Sequence, residues 1–208
     1  MLRILVVALV VLVAAMFMLP RGERGAPPQT ATILPEARVL PDTELIDHTG
    51  AALTLGAPRN DFTLLFFGFT NCPDVCPLTL QILADARAEV ARRAPQFTPR
   101  VLFISVDPHR DTPERIGAYL EGFDPEFVGA TASDARLKPL LDTLGVAVQK
   151  HEHGSEPYNV VHNSAIYVLA PGGAWIAVST GPHQAATIAA DYLKIRQRYR
   201  AKQPQPAA

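Results

Sequence analysis

Two stretches of the chain, residues 62–69 and 101–106, are apolar almost without interruption, and they constrain the fold more than any other feature. A strand with one wet face alternates polar and apolar side chains. A strand that is apolar throughout must be covered on both faces, as in a parallel sheet between helices. Between the two runs, Leu80, Leu83, Ala86, Val90 and Ala94 recur at helical spacing from Pro77 onward. Strand, helix and strand in that order make a βαβ unit. At 208 residues and 48% hydrophobic content, the chain has the apolar mass for one ordinary domain around such a unit.

The remaining pattern extends the unit. Helices are predicted over residues 113–120 and 135–144, with a strand near 127–130 between them. Residues 160–169 and 175–179, joined by Ala170-Pro171-Gly172-Gly173, predict a β-hairpin. The last helix carries Ile188, Tyr192, Ile195 and Tyr199 on one face. Ahead of the unit, residues 39–46 and 52–55 flank Asp47-His48-Thr49-Gly50 and predict a further hairpin. Trp175 and the Phe66, Phe67 and Phe69 cluster read as core. This order is that of an α/β fold, a thioredoxin-like sandwich with an N-terminal β-hairpin extension.

The termini differ in kind from the middle. Residues 4–19 contain no charged or strongly polar side chain, are preceded by Arg3 and end at Pro20. At about 1.5 Å per residue they span about 24 Å, and Leu2 with interfacial neighbours supplies the remainder of the roughly 30 Å bilayer core. One N-terminal transmembrane helix is expected, a signal anchor over residues 1–20. The small residues Val13-Ala14-Ala15 keep cleavage as a signal peptide open. No cysteine follows the run, which excludes a lipoprotein anchor. Residues 21–34 read as a Pro-rich linker, and the same low-helix composition continues to Pro41. Residues 35–201 remain for the folded domain, and 202–208 read as a disordered tail. A formal net charge of -1 gives no footprint for nucleic acid.

The only two cysteines stand in Cys72-Pro-Asp-Val-Cys76, too few for a disulfide-dense scaffold. They fall just past the end of the first apolar strand, at the start of the following helix, on the rim where open α/β sheets bind ligands. Helix dipole and unpaired N–H groups favour thiolate there. Pro73 and Pro77 argue for an irregular turn through Cys76, with Pro77 as the first helical residue. Three chemistries fit the pair. A structural disulfide would close so small a loop that it constrains little of the unfolded chain. A redox dithiol is reasonable, although the spacing departs from the Cys-x-x-Cys of thioredoxin-like reductases. Two soft thiolates also make part of a Cu(I) site that needs one or two further ligands.

Six histidines are available to complete such a site. His48, His109 and His183 read as solvated residues of a turn, a loop and a helix start. His151 and His153 form a His-x-His in a Gly/Ser/Pro-rich stretch, either a solvated hairpin tip or a weak metal-binding pair. His162 opens the apolar strand 163–169, where a thioredoxin-like sheet would bring the preceding loop close to the cysteine rim. Its alternative is a satisfied edge histidine. Asp111-Thr-Pro-Glu114 reads as a helix start, with Asp111 as N-cap and Glu114 completing a capping box. Asp107, at the end of its strand, is either a turn former with Pro108 or a carboxylate that orients His162 or tunes a thiolate.

Phe67-Gly-Phe-Thr-Asn-Cys-Pro-Asp-Val-Cys-Pro77, Ser105-Val-Asp-Pro-His-Arg-Asp-Thr-Pro113 and Val161-His162 ahead of a hairpin resemble the SCO/SenC family of membrane-anchored copper-binding proteins, over about residues 35–200. The resemblance implies a thioredoxin-like fold with Cys72, Cys76 and His162 as copper ligands. Cys72 and Cys76 would also form a redox-active disulfide, with Asp107 and Asp111 as outer carboxylates. The implied role is a non-enzymatic copper chaperone that assists assembly of the dinuclear copper site of cytochrome c oxidase. The alternative is a thiol:disulfide oxidoreductase that reduces the receiving cysteines. The implied partners are the oxidase subunit carrying that site, other copper-transfer proteins, and the membrane through the N-terminal helix. The implied location is a single-pass inner-membrane protein with its domain in the periplasm, or in the intermembrane space if mitochondrial. Members often carry Asp before the histidine; Val161 stands here, which removes a neighbouring carboxylate and no ligand. Two thiolates and one imidazole give a trigonal site suited to Cu(I), and an added oxygen ligand accommodates Cu(II). No proline stands beside His162, where thioredoxin-type reductases carry a cis-Pro, and this weighs against the oxidoreductase. A peroxidase-like thiol enzyme would have Thr70 alone as its activating group.

Overall fold

The computed structural model describes residues 27–55, 61–153, 156–161 and 163–203. Eight strands form one sheet in the order β1-β10-β9-β4-β5-β6-β2-β3. At its centre lies the predicted unit. β4 (Thr63–Gly68) and β5 (Arg100–Ser105) run parallel in register from Thr63↔Arg100 to Gly68↔Ser105, and α1 (Val75–Arg93) crosses between them. Every β4 residue is buried, and each of Leu64, Leu65, Phe66 and Phe67 contributes roughly 1.5–3 kcal/mol by leaving water.

α2 (Pro113–Leu120) leads from β5 to β6 (Val128–Thr131), which extends the parallel part of the sheet. Gly129 lets this helix lie directly on β6, since a Cβ there would overlap the Ile116 and Leu120 side chains. α3 (Asp134–Leu144) ends at Gly145, whose φ of 68° is the left-handed turn that closes a helix. β9 (Ile166–Leu169) pairs antiparallel with β4 and with β10 (Trp175–Ser179). α4 (Ala185–Lys202) buries Ile188, Tyr192 and Ile195 and packs on α1. β2 (Glu44–Asp47) and β3 (Ala52–Thr54) form the early hairpin. It is not a free extension, because β2 also pairs with β6 and joins the main sheet.

Three expectations are corrected. The strand predicted over residues 160–169 is broken: residues 156–161 form β8 (Glu156–Val161), which pairs with β7 (Gln149–His153) in a separate two-stranded ribbon. The polar residues His162, Asn163 and Ser164 mark the break, and Val160 and Val161 before them suit either sheet. The linker ends sooner than Pro41 suggests, since β1 (Ala31–Arg38) pairs with β10. Pro35 is tolerated there because β1 is an edge strand and its register shifts between Ile33 and Arg38. The first long helix starts at Val75, two residues before Pro77. Pro77 then sits in the first turn, where an N–H would have had no helical partner. Among the described residues no helix is long and apolar enough to cross a membrane. The transmembrane helix expected over residues 1–20, the linker up to residue 26 and the tail from residue 204 lie outside the described residues.

Candidate metal and thiol site

The chain leaves β4 at Gly68 and enters α1 at Val75, so Cys72 falls in the connection and Cys76 in the first helical turn. Gly68 is required chiefly by the Phe103 ring and also by the sulfur beside it: a Cβ at this position would meet Phe103 Cε2 at 2.6 Å and Cys76 Sγ at 3.1 Å. Asp74 occupies the N-cap position of α1, but its side chain caps nothing. Cys72 Sγ takes that place instead, accepting the Cys76 N–H at 3.4 Å. The sulfur of Cys72 thus sits at the positive end of the helix, as expected.

The two thiols are not joined by a disulfide, and they differ in access: Cys72 is half-buried and Cys76 fully buried. Burial pushes the Cys76 thiol far above its ordinary value, against a hydrogen bond from the Phe69 amide that pulls it down. A side-chain hydrogen bond with Cys72 and the charges of Cys72 and Asp111 raise it further. At Cys76 desolvation thus works against the thiolate that a helix start favours. The hydrogen bond between the side chains puts the two sulfurs side by side.

Asp111 is the strut of this rim. Its fully buried carboxylate accepts the Thr70 N–H at 2.9 Å, the Thr70 hydroxyl at 2.6 Å and the Ser105 hydroxyl at 2.6 Å. It is not the helix N-cap predicted from sequence. That position belongs to Thr112, whose side chain accepts the Arg115 N–H. The two residues stand side by side, and the hydroxyls of half-buried Thr70 and buried Ser105 claim the carboxylate. Asp107 is also fully buried; its carboxylate accepts from Arg110 Nε, and its carbonyl accepts the amides of Arg110 and Asp111. This is the turn-forming reading of that residue. Sequence reasoning passed over Arg115, which donates to Thr70 Oγ1 at 2.9 Å and to Asn71 Oδ1 at 2.5 Å. Its place four residues after Asp111 is the signal that would have found it.

The histidines separate clearly. His48 is no solvated turn residue, since its Nδ1 accepts the Gly129 N–H at 3.1 Å and ties the β2 turn to β6. His183 likewise is half-buried, with Nε2 at 2.8 Å from the Ser164 carbonyl. His109 is exposed beside Asp134 at 3.2 Å. His151 and His153 lie on β7 of the separate ribbon. His162 lies outside the described residues, but its flanks are fixed: Val161 pairs with Gln149, and Asn163 Nδ2 donates to the Gly145 carbonyl at 3.3 Å. Because β9 is antiparallel to β4, the chain enters β9 from the end of β4 that leads to the cysteines. Among the described residues no group of three or more His, Cys, Asp or Glu side chains is placed to hold a metal ion.

The SCO1/SenC family model matches residues 32–197. The chain is 36% identical over 157 residues to the mitochondrial SCO2 homolog of Bos taurus, covering 73% of this chain and 58% of that one. It is 29% identical over 178 residues to an SCO2-like protein of Rickettsia conorii, covering 83% and 86% of the two chains. Among solved structures, copper-bound ScoI of Arabidopsis thaliana matches with a TM-score of 0.70 at 30% identity, over 75% of this chain and 97% of that one.

Proposed function

The chain belongs to the SCO1/SenC family, and from that membership we propose that it carries copper on Cys72, Cys76 and His162 and hands it to the subunit bearing the dinuclear copper site of cytochrome c oxidase. The observation that carries the reading is the pair of adjoining, unbridged sulfurs at the strand–helix rim. Two soft donors select Cu(I) over hard cations, and an imidazole entering with the chain ahead of β9 completes three-coordination. Cu(II) requires one more oxygen ligand. The half-buried Cys72 is the sulfur an acceptor reaches first, and the exposed Val75 and Leu78 beside it give an incoming protein an apolar footing. Other copper-transfer proteins would load the site from the same side. Residues 1–20 would hold the domain at the inner membrane, facing the periplasm or the intermembrane space.

The test is metal analysis of the reduced, full-length chain. One copper per chain is expected, His162→Ala should lose most of it, and His151→Ala and His153→Ala should retain it. Equal copper in the His162 variant would falsify the ligand assignment.

A second reading rests on the asymmetry of the thiols. An accessible Cys72 with a buried Cys76 behind it is the arrangement of an attacking and a resolving thiol. Cys72 thiolate would attack a target disulfide and release one thiol. Cys76 would then displace the second, leaving a Cys72–Cys76 disulfide and a target reduced by two electrons. Rapid reduction of a target disulfide by metal-free protein favours this role; its absence alongside tight copper binding favours delivery.

A further inference from the structure

A groove of about 590 Å³ lies between β1 and the C-terminal half of α4. Ile33 and Leu34 of β1, Ile176 of β10 and Ile195 of α4 line it, together with Arg198 and Lys202, one helical turn apart. Its place in the molecule follows from strand register. Ala31 stands opposite Ser179, which pairs with Ile166 and so lies level with Phe66. Arg38 stands opposite Trp175, which pairs with Leu169 and so lies level with Thr63. β1 therefore runs away from the cysteine rim. The C-terminal half of α4 lies at the same far end, since Tyr199 packs on Phe62, just before β4, at 5.8 Å between ring centroids. Val39, the residue after β1 at this end, is 86% exposed. Groove and thiols thus occupy opposite ends of the sheet.

Charge and chain entry point to what covers the groove. Residues 192–208 contain Lys194, Arg196, Arg198, Arg200 and Lys202 and no acidic side chain, in a chain of formal net charge -1. Arg196 lies over the Phe97 ring at 3.4 Å and Arg200 over the Phe62 ring at 5.8 Å. Lys194, Arg198 and Lys202 follow one another at four-residue spacing and so share the stripe beside the groove. The N-terminal segment meets α4 on that stripe: Lys194 donates to the Pro27 carbonyl at 3.3 Å, and Asp191, three residues earlier, holds the amides of Gln29 and Thr30. The chain thus arrives from the C-terminal half of the helix. Pro27 stands seven residues after Pro20, where the apolar run of residues 4–19 ends, a reach of at most about 25 Å. We propose that this groove seats the domain on a bilayer containing anionic phospholipid. Phosphate groups meet Arg198 and Lys202, while Val39 and the apolar wall of the groove meet the glycerol and upper acyl region. The cysteine rim then points away from the bilayer, toward a partner that rises from it. This inference rests on the membrane attachment through residues 1–20 given above.

Full-length wild type, Lys202→Gln and the double variant Arg198→Gln/Lys202→Gln are placed in vesicles of phosphatidylcholine, with or without phosphatidylglycerol. Hydrogen exchange is followed over β1 and the last two turns of α4. Wild type should gain protection there only with phosphatidylglycerol, and added salt should remove it. At about five-fold per cation, the ratio of seated to free domain should fall about five-fold in the single variant and about 25-fold in the double one. Lys202 is exposed at the end of α4, so its variant tests the seat even where the double variant unfolds. Equal wild-type exchange in the two kinds of vesicle overturns the proposal. Protection in phosphatidylcholine alone that grows with protein density overturns it too, because a second copy is then the occupant. The same holds if dissolved inorganic phosphate gives the protection in phosphatidylcholine, which makes the groove a phosphate site. If the wild-type chain floats with neither kind of vesicle, the membrane attachment itself falls, and the seat with it; flotation with unaltered exchange removes the seat alone.

Discussion

Asp111 shows how one carboxylate is shared between folding and site geometry. Its two oxygens are saturated by Thr70 and Ser105, so β5 and the loop after β4 are joined through a single buried charge. Asp111→Ala would leave the Thr70 amide and two hydroxyls without that acceptor, at a cost of about 3 kcal/mol. For a chain of this size that corresponds to a fall in melting temperature of roughly 6–12 °C. Asp111→Asn keeps one acceptor oxygen and should lose about a third as much. The smaller loss should leave the Asn variant folded, and chelator competition on it should show faster copper release, because Thr70 no longer fixes the approach to Cys72. Equal melting temperatures for wild type and the Ala variant would remove the strut. The sequence motif containing Asp111 was legible, but its role was not. Capping is a local rule and selects between Asp111 and Thr112 by spacing alone, whereas the hydroxyls that claim Asp111 come from positions 6 and 41 residues away.

Elements were legible where their pattern is periodic and obscure where pairing is a choice. The apolar runs of β4 and β5 and the spacing along α1 admit one arrangement, and Pro113–Leu120 is bounded by its own proline and cap. β1 has no such signature. What fixes it is Asp191 on α4, a buried carboxylate that accepts the backbone amides of Gln29 at 2.6 Å, Thr30 at 2.8 Å and Ala31 at 3.1 Å. These bonds bring the segment leading in from residue 27 onto the last helix and start β1 at the sheet edge. Burial works to raise the Asp191 carboxyl, but the amides of Thr30, Gln29 and Ala31 and the Thr30 hydroxyl outweigh it and hold it below the usual carboxylate range. The folded value lies below the unfolded one, so the stabilisation is complete above the unfolded value of about 3.9 and is lost as pH falls through the lower folded value. Asp191→Asn turns a donor toward those amides and should cost about 2 kcal/mol at neutral pH. Denaturant unfolding at pH 7 and below pH 3 should show the difference between wild type and variant shrinking in acid. A difference of constant size across that range would mean that the charge contributes nothing.

At the scale of the molecule, the proposed ligands come from parts of the chain that the sheet alone brings together. Cys72 and Cys76 span the join of β4 and α1, while His162 follows the β7–β8 ribbon, which among the described residues pairs with no strand of the main sheet. A metal held by all three would tie the base of that ribbon to the rim, and the ligands separate on unfolding. Copper should therefore stabilise the folded state by mass action, by about 2.7 kcal/mol at a free concentration one hundred times the dissociation constant. For a domain of this size the gain is roughly 5–10 °C in melting temperature. Reduced full-length protein should show this shift with Cu(I), and His162→Ala should show much less of it at the same concentration. Protein oxidised to the Cys72–Cys76 disulfide should show none, since the electron pairs that bind copper are then engaged in the sulfur–sulfur bond. Hydrogen exchange adds the local readout: amides of β7 and β8 should gain protection on loading together with those at the start of α1. Protection confined to α1 would mean that the two cysteines hold the metal without the ribbon, and the third ligand would have to be sought on the cysteine rim itself.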